Sequence, residues 1–174
     1  MKKLFALVVL ALSLGCATGT LTEKTPVTKD LSAYHTASIT VNVTGKTEKP
    51  DVHKSQLALA IEKQLKEKNL FAEVVPDHGE IEIRVNLDKI DEGTSIAALG
   101  AQSDMEVGAS VELFDTKENK GIGEFSATGT SKRSSSTTVG GHNVAGIQGK
   151  SAMAHEAMAE QIASYISSHR ASGK

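Results

Sequence analysis

Five carboxylates on three predicted strands are the side chains of this sequence whose type and spacing could do chemistry. They are Glu80, Glu82, Asp88, Glu112 and Glu124. Paired carboxyl groups roughly 5–10 Å apart can hydrolyse glycosidic bonds. Alternating charged residues also occur on any solvated face of a sheet, and this second interpretation is the favoured one. We therefore predict no catalytic residues, and a candidate partner surface made of Glu80, Glu82, Arg84, Asn86, Gly140, Gly141 and His142.

Two further groups of residues could bind a phosphate or a metal, but neither has the residue spacing that such a site requires. Gly149-Lys150-Ser151 follows a Gly-rich loop, but a phosphate-binding loop needs a glycine at position 144, where Val144 stands. None of the six histidines has a second histidine three or four residues later, so no zinc-binding helix is predicted. We expect no metal, no cofactor and no enzymatic activity.

The first fifteen residues have the pattern of an export signal. Lys2 and Lys3 precede an apolar run over residues 4–14, and Gly15 follows as a small residue. The run is too short to cross a bilayer, which needs about 20 apolar residues. Cys16 comes next and is the only cysteine of the chain, so it has no partner for an internal disulfide.

A lone cysteine at the end of an export signal resembles the lipobox of bacterial lipoproteins. The resemblance implies cleavage between Gly15 and Cys16 and a palmitate-type anchor of three acyl chains on Cys16, where two chains already hold a protein stably. Ser13 fits the looser form of the motif. Ala17, in place of Asp, implies the outer membrane, with the protein facing the periplasm. The alternative is a secretory signal cut near residues 17–19.

The length and composition of the mature chain limit its number of domains and its possible functions. Removal of residues 1–15 leaves 159 of the 174 residues, which suits one domain. Loss of Lys2 and Lys3 lowers Lys+Arg from 19 to 17 against 21 Asp+Glu, a net charge of −4. This balance does not suit nucleic-acid binding, and with no tryptophan in the chain few side chains could stack on bases or sugars.

Hydrophobic periodicity predicts the domain organisation. We expect a lipid-anchored flexible tether over residues 16–35 and a single globular domain over 36–170. Its predicted elements are strands at 36–44, 71–75, 80–88, 105–115 and 122–131 and helices at 52–69 and 150–169. Residues 91–104 are expected to form a loop and residues 132–149 a mobile Gly/Ser-rich loop.

These elements define the fold class. The order β-α-β-β-β-β-α predicts an α+β, two-layer fold with a mixed, mostly antiparallel sheet. Both helices should pack on one face of the sheet and bury the alternating apolar side chains. The other face should stay polar.

Several segments resemble domain-of-unknown-function family 4410, a group of bacterial lipoproteins. They are 65–71 (LKEKNLF), 81–93 (IEIRVNLDKIDEG), 107–115 and 120–125 (KGIGEF), followed by the Gly-rich loop and the last helix. The segment between the middle strands lacks the arginine usual in that family. The order of elements is also similar to the N-terminal part of TolB and to the curli secretion lipoprotein.

These resemblances imply a role in protein assemblies at the cell envelope. We expect a non-catalytic binding or scaffold module anchored in the outer membrane, with an envelope protein as partner. The alternatives are a subunit of an oligomeric secretion or assembly device and, less favoured, a carboxylate-based hydrolase.

Overall fold

A computed structural model describes residues 17–92, 95–96, 101–102, 104–131 and 147–171. The predicted signal peptide, Cys16, and the loop residues Gly140, Gly141 and His142 lie outside these ranges.

The described chain forms eight strands and two α-helices. The strands are β1 (Ala17–Thr25), β2 (Thr36–Val43), β3 (Glu73–Val75), β4 (Ile81–Asp91), β5 (Ser95–Ile96), β6 (Ala101–Gln102), β7 (Met105–Asp115) and β8 (Lys120–Ser131). The helices are α1 (Pro50–Glu67) and α2 (Ile147–Ala171), and a short 3-10 turn spans Leu31–Ala33.

Six strands build one mixed sheet in the order β1-β8-β7-β4-β2-β3, and β5 and β6 pair separately. Strand β2 runs parallel to β3 and β4, while the other neighbours are antiparallel. Both helices pack on the same side of this sheet, so the predicted α+β, two-layer class is confirmed. Neither helix has the length and apolarity needed to cross a bilayer.

The tether predicted over residues 16–35 is wrong for its described part. Strand β1 pairs with β8 from Ala17↔Ser131 to Thr25↔Glu124 and forms one edge of the sheet. Leu31 is fully buried beyond it. Hydrophobic periodicity does not predict β1, because its inward positions include Gly19 and Glu23 rather than a run of large apolar residues.

A buried ionic group holds the segment after β1 to the rest of the fold. The carboxylate of Asp115, at the end of β7, accepts hydrogen bonds from Lys29 Nζ and Tyr34 Oη, each at 2.7 Å. The hydrogen bond from Lys29 is the main cause that lowers the pKa of Asp115. Burial, aided by the bond to Asp115, raises the pKa of Tyr34 to about 12. This group ties residues 29–34 to the β7–β8 turn.

Helix α1 follows the predicted pattern with a shifted start. Leu57, Ile61 and Leu65 are fully buried, as their four-residue spacing predicts. The helix begins at Pro50, two residues before the predicted start at residue 52, and Lys49 at the N-cap makes no side-chain capping bond. Proline suits the first helical position because it has no N–H to satisfy. Asn69, just after the helix, takes a left-handed conformation with φ of 50°.

Helix α2 lies very close to the sheet because the residues on both contacting surfaces have small side chains. Ala154, Ala159 and Ala163 are fully buried, and a Cβ placed on Gly129 of β8 would stand 2.0 Å from the backbone oxygen of Ala154. Met158 and Tyr165 of the same helix are buried as well. The core therefore includes a close helix-to-strand contact that hydrophobic periodicity does not reveal.

Candidate functional site

The sheet face opposite the helices, called here the outer face, carries a shallow depression of about 440 Å³. It is lined mainly by polar residues of β2, β4, β7 and β8, among them Arg84. These polar residues include Thr40, Arg84, Asn86, Ser110, Glu112 and Glu124. The depression exists because alternation places every second residue of four adjacent strands on this side.

Arg84 is held in one position by three contacts. Its Nε donates to Glu82 at 2.8 Å, and its Nη1 donates to Glu112 at 3.4 Å. The guanidinium carbon lies 3.4 Å from the ring centroid of Phe114, a cation–π contact. The side chain keeps 39% of its surface exposed. Arg84 is thus oriented by the protein yet available to solvent.

The surroundings of Glu82 favour its charged form. Burial alone would raise its pKa, but hydrogen bonds from Thr40, at 2.6 Å, and from Arg84 outweigh that effect, so the pKa of Glu82 is lowered. A glycosidase acid needs a carboxyl whose pKa is raised, so that it holds a proton at neutral pH. Glu82 is therefore unsuited to that role.

The structure brings together part of the predicted partner surface. Glu82, Arg84 and Asn86 share the outer face with Glu112 and Glu124, as alternation on the strands predicts. Glu80 lies apart from them: its carboxylate accepts the backbone N–H groups of His35 (2.5 Å) and Thr36 (3.2 Å), which lowers its pKa and secures the start of β2. Gly140, Gly141 and His142 lie outside the described residues.

A second polar cluster, a buried histidine pair, escaped sequence reasoning. His155 is fully buried and His53 is 4% exposed, with His53 Nδ1 lying 3.4 Å from His155 Nε2. His155 Nδ1 lies 2.6 Å from the backbone oxygen of Ser151, so this nitrogen carries the hydrogen and donates. His53 Nε2 lies 3.3 Å from Glu92. The two histidines are 102 residues apart, so no local spacing could reveal them.

The histidine pair does not form a nucleophile with its base. Ser151 Oγ donates to Gln56 at 2.6 Å, while the nearby His155 Nδ1 is already committed to a carbonyl oxygen and cannot accept the serine proton. Burial, the main cause, lowers the pKa of His155 to about 4, so its ring is neutral at pH 7. Within the described ranges, no three His, Cys, Asp or Glu residues are grouped to hold a metal ion.

Comparisons with known proteins place the chain in no family. No family model matches the sequence, and neither does any curated protein. The resemblance to family 4410 therefore stays a prediction.

The fold is similar to several solved structures of low sequence identity. A PelC dodecamer from Paraburkholderia phytofirmans has 14% identity and a TM-score of 0.49, over 83% of this chain and 96% of that one. A Xanthomonas campestris protein of family DUF330 has 11% identity and a TM-score of 0.48, over 80% and 85%. A minor lipoprotein from Acinetobacter baumannii has 13% identity and a TM-score of 0.44, over 79% and 96%.

Proposed function

We propose that this chain is a bacterial lipoprotein, anchored through Cys16 in the outer membrane and facing the periplasm. Its folded body acts as a non-catalytic module that binds an envelope protein through the outer face. The signal-like pattern of residues 1–15, followed by the lone Cys16, supports the anchor. The contacts of Arg84 support the binding face.

The main support for a binding function is that Arg84 is held in one orientation by the protein and is still exposed to solvent. Stacking on Phe114 and the bond to Glu82 have already ordered the Arg84 side chain, so a partner would lose little entropy in binding it. The longer contact to Glu112, at 3.4 Å, is the one that a partner carboxylate could replace. Arginine is also enriched among the residues that dominate binding energy at protein interfaces.

The surroundings of Arg84 indicate the chemistry of the partner. Glu112 and Glu124 are 43% and 44% exposed and lie next to each other in the strand register, on the β7 and β8 side of Arg84. Glu82 lies beside Arg84 on its own strand, so a carboxylate that binds Arg84 would approach existing carboxylates and needs basic neighbours of its own. We infer a folded protein partner whose contact surface has a carboxylate flanked by lysine or arginine.

The substitution Arg84→Glu tests the binding face. We expect at least a tenfold loss of one specific envelope protein from crosslinked cells, measured by quantitative mass spectrometry, because a glutamate would repel both Glu82 and Glu112. The purified partner should then show the same loss in a direct binding assay. The matched control is Lys66→Glu on α1, where the exposed lysine pairs with Glu62. Equal recovery of every partner with both variants would refute the proposed surface.

The substitution Cys16→Ser tests the anchor. A serine hydroxyl cannot form the thioether to diacylglycerol, so we expect the variant to remain uncut or to leave the membrane fraction altogether. Intact-mass measurement should show the acylated form beginning at residue 16 in the wild type only. Ser13→Leu, which changes a neighbouring residue toward the usual lipobox, is the control and should stay acylated. A Cys16→Ser protein that is processed and sediments with membranes like the wild type would exclude a lipoprotein.

A further inference from the structure

We propose that one end of the domain lies directly on the bilayer surface, so that the anchor sets the orientation of the protein as well as its location. This anchor end carries the start of β1, the ends of β2, β4 and β8, and the starts of β7 and of both helices. The proposal rests on the lipidation of Cys16 proposed above, and adds to it a contact surface whose partner is the lipid headgroup layer.

No flexible segment separates the lipid site from the folded domain. Ala17 is already paired with Ser131 in the sheet, and Cys16 is the residue before it. Consecutive Cα atoms lie about 3.8 Å apart, so an acylated Cys16 would hold the edge of the sheet within roughly one residue of the membrane. A free 20-residue tether, as predicted over residues 16–35, would instead allow a separation of about 25 Å.

The strand register shows what else lies at this end. Ser131 pairs with both Ala17 and Met105, which puts the three residues in one row across β1, β8 and β7. Asp91, at the end of β4, is paired with Glu106, the second residue of β7. The described ends of β4 and β8 and the starts of β1 and β7 therefore lie at the same end of the sheet.

The helices reach the same end. Lys49 and Val52, at the start of α1, line a cavity of about 240 Å³ together with Met105. His53 and Ser151 line it as well, which joins the starts of α1 and α2. The anchor end is thus a broad surface formed by both layers of the fold.

The side chains of the α1 start suit a headgroup layer. Val52 is 45% exposed, and in the described part of the chain only Leu59 is also a large exposed hydrophobic. Lys46, Lys49 and Lys54 are exposed around it, with Glu48 and Asp51. Glu92 lines the same cavity, and Asp91 and Glu106 lie at the neighbouring strand ends, so with Lys89 included the anchor end has no net positive charge to attract an anionic surface. The covalent geometry, not the charge, is what orients the domain.

The orientation has a consequence for the outer face. Since the strands begin or end at the anchor end, they run away from the bilayer, and the depression around Arg84 opens sideways into the periplasm. The β7–β8 turn with Glu118 lies at the far end, 11 residues along β7, or about 35 Å from the membrane.

Two single-cysteine variants test the orientation, because an acylated Cys16 has no free thiol and the new cysteine is the only one. Val52→Cys and Glu118→Cys replace exposed residues at opposite ends. Each lipidated protein is labelled with an environment-sensitive fluorophore and reconstituted in phosphatidylethanolamine–phosphatidylglycerol vesicles that contain headgroup-spin-labelled lipid. We expect quenching at residue 52 to exceed that at residue 118 at least threefold. Equal quenching would overturn the proposal.

A linker variant separates the orientation from the anchor. Insertion of 20 Gly/Ser residues between Cys16 and Ala17 should leave vesicle binding unchanged and make quenching at the two positions equal. If the linker variant keeps the threefold difference, the short connection is not what orients the domain, and the proposal fails while the anchor stands. If the protein without the linker does not bind the vesicles, the anchor itself fails.

Discussion

Gly129→Ala is expected to destabilise the domain by about 3 kcal/mol, a large share of the 5–15 kcal/mol typical of a domain. The added Cβ would stand 2.0 Å from the backbone oxygen of Ala154 and 2.8 Å from the backbone nitrogen of Met158. Backbone atoms in a helix cannot move aside singly, so α2 as a whole must shift from β8. Urea denaturation followed by circular dichroism should show the loss as a lower midpoint with an unchanged slope.

Gly121→Ala is the matched control, because it makes the same chemical change on the same strand. There the new Cβ would meet the carboxylate oxygen of Glu112 at 2.7 Å, the far end of a flexible side chain at the surface. We expect a loss below about 0.5 kcal/mol. Similar losses for the two variants would show that the close contact between α2 and β8 is not what limits residue 129.

Folding stability should fall by about 2 kcal/mol between pH 7 and pH 5 through His155 alone. Burial lowers its pKa from 6.5 to about 4 in the folded chain, while the unfolded chain keeps the ordinary value. Below pH 6.5 the unfolded state therefore takes up a proton that the folded state refuses until about pH 4, so stability declines as the pH falls through this window. The free energy of unfolding from urea titrations at several pH values measures the slope.

His155→Gln should remove most of this slope. The glutamine amide can still donate to the Ser151 carbonyl and accept from His53, but it does not titrate. His35→Gln changes an exposed histidine and should leave the slope in place. Glu80 and Glu82, whose pKa values are lowered, affect stability only at lower pH, near and below the ordinary carboxyl pKa of about 4. An unchanged slope in His155→Gln would contradict the neutral buried state of this histidine.

Sequence patterns sufficed for the strands that are buried on one face. The alternation over residues 80–88 and 105–115 predicted β4 and β7, with Val107, Val111 and Leu113 inward and fully buried. It also placed Arg84 and Glu112 on the polar face, because a period of two determines which side of a strand each residue takes. Their mutual contact depends on the pairing Arg84↔Glu112, which is a property of the register.

The sequence by itself determined the charge pattern, the lone Cys16, the elements with a clear period and the α+β class, since these depend on residues near one another in the chain. Only the tertiary structure decided that residues 17–25 are a strand, because the strand is stabilised by β8, more than 100 residues away. The same holds for the pairing of His53 with His155 and for the approach of α2 to Gly129. Each depends on contacts between distant segments, whose register and spacing emerge only when the whole core is packed.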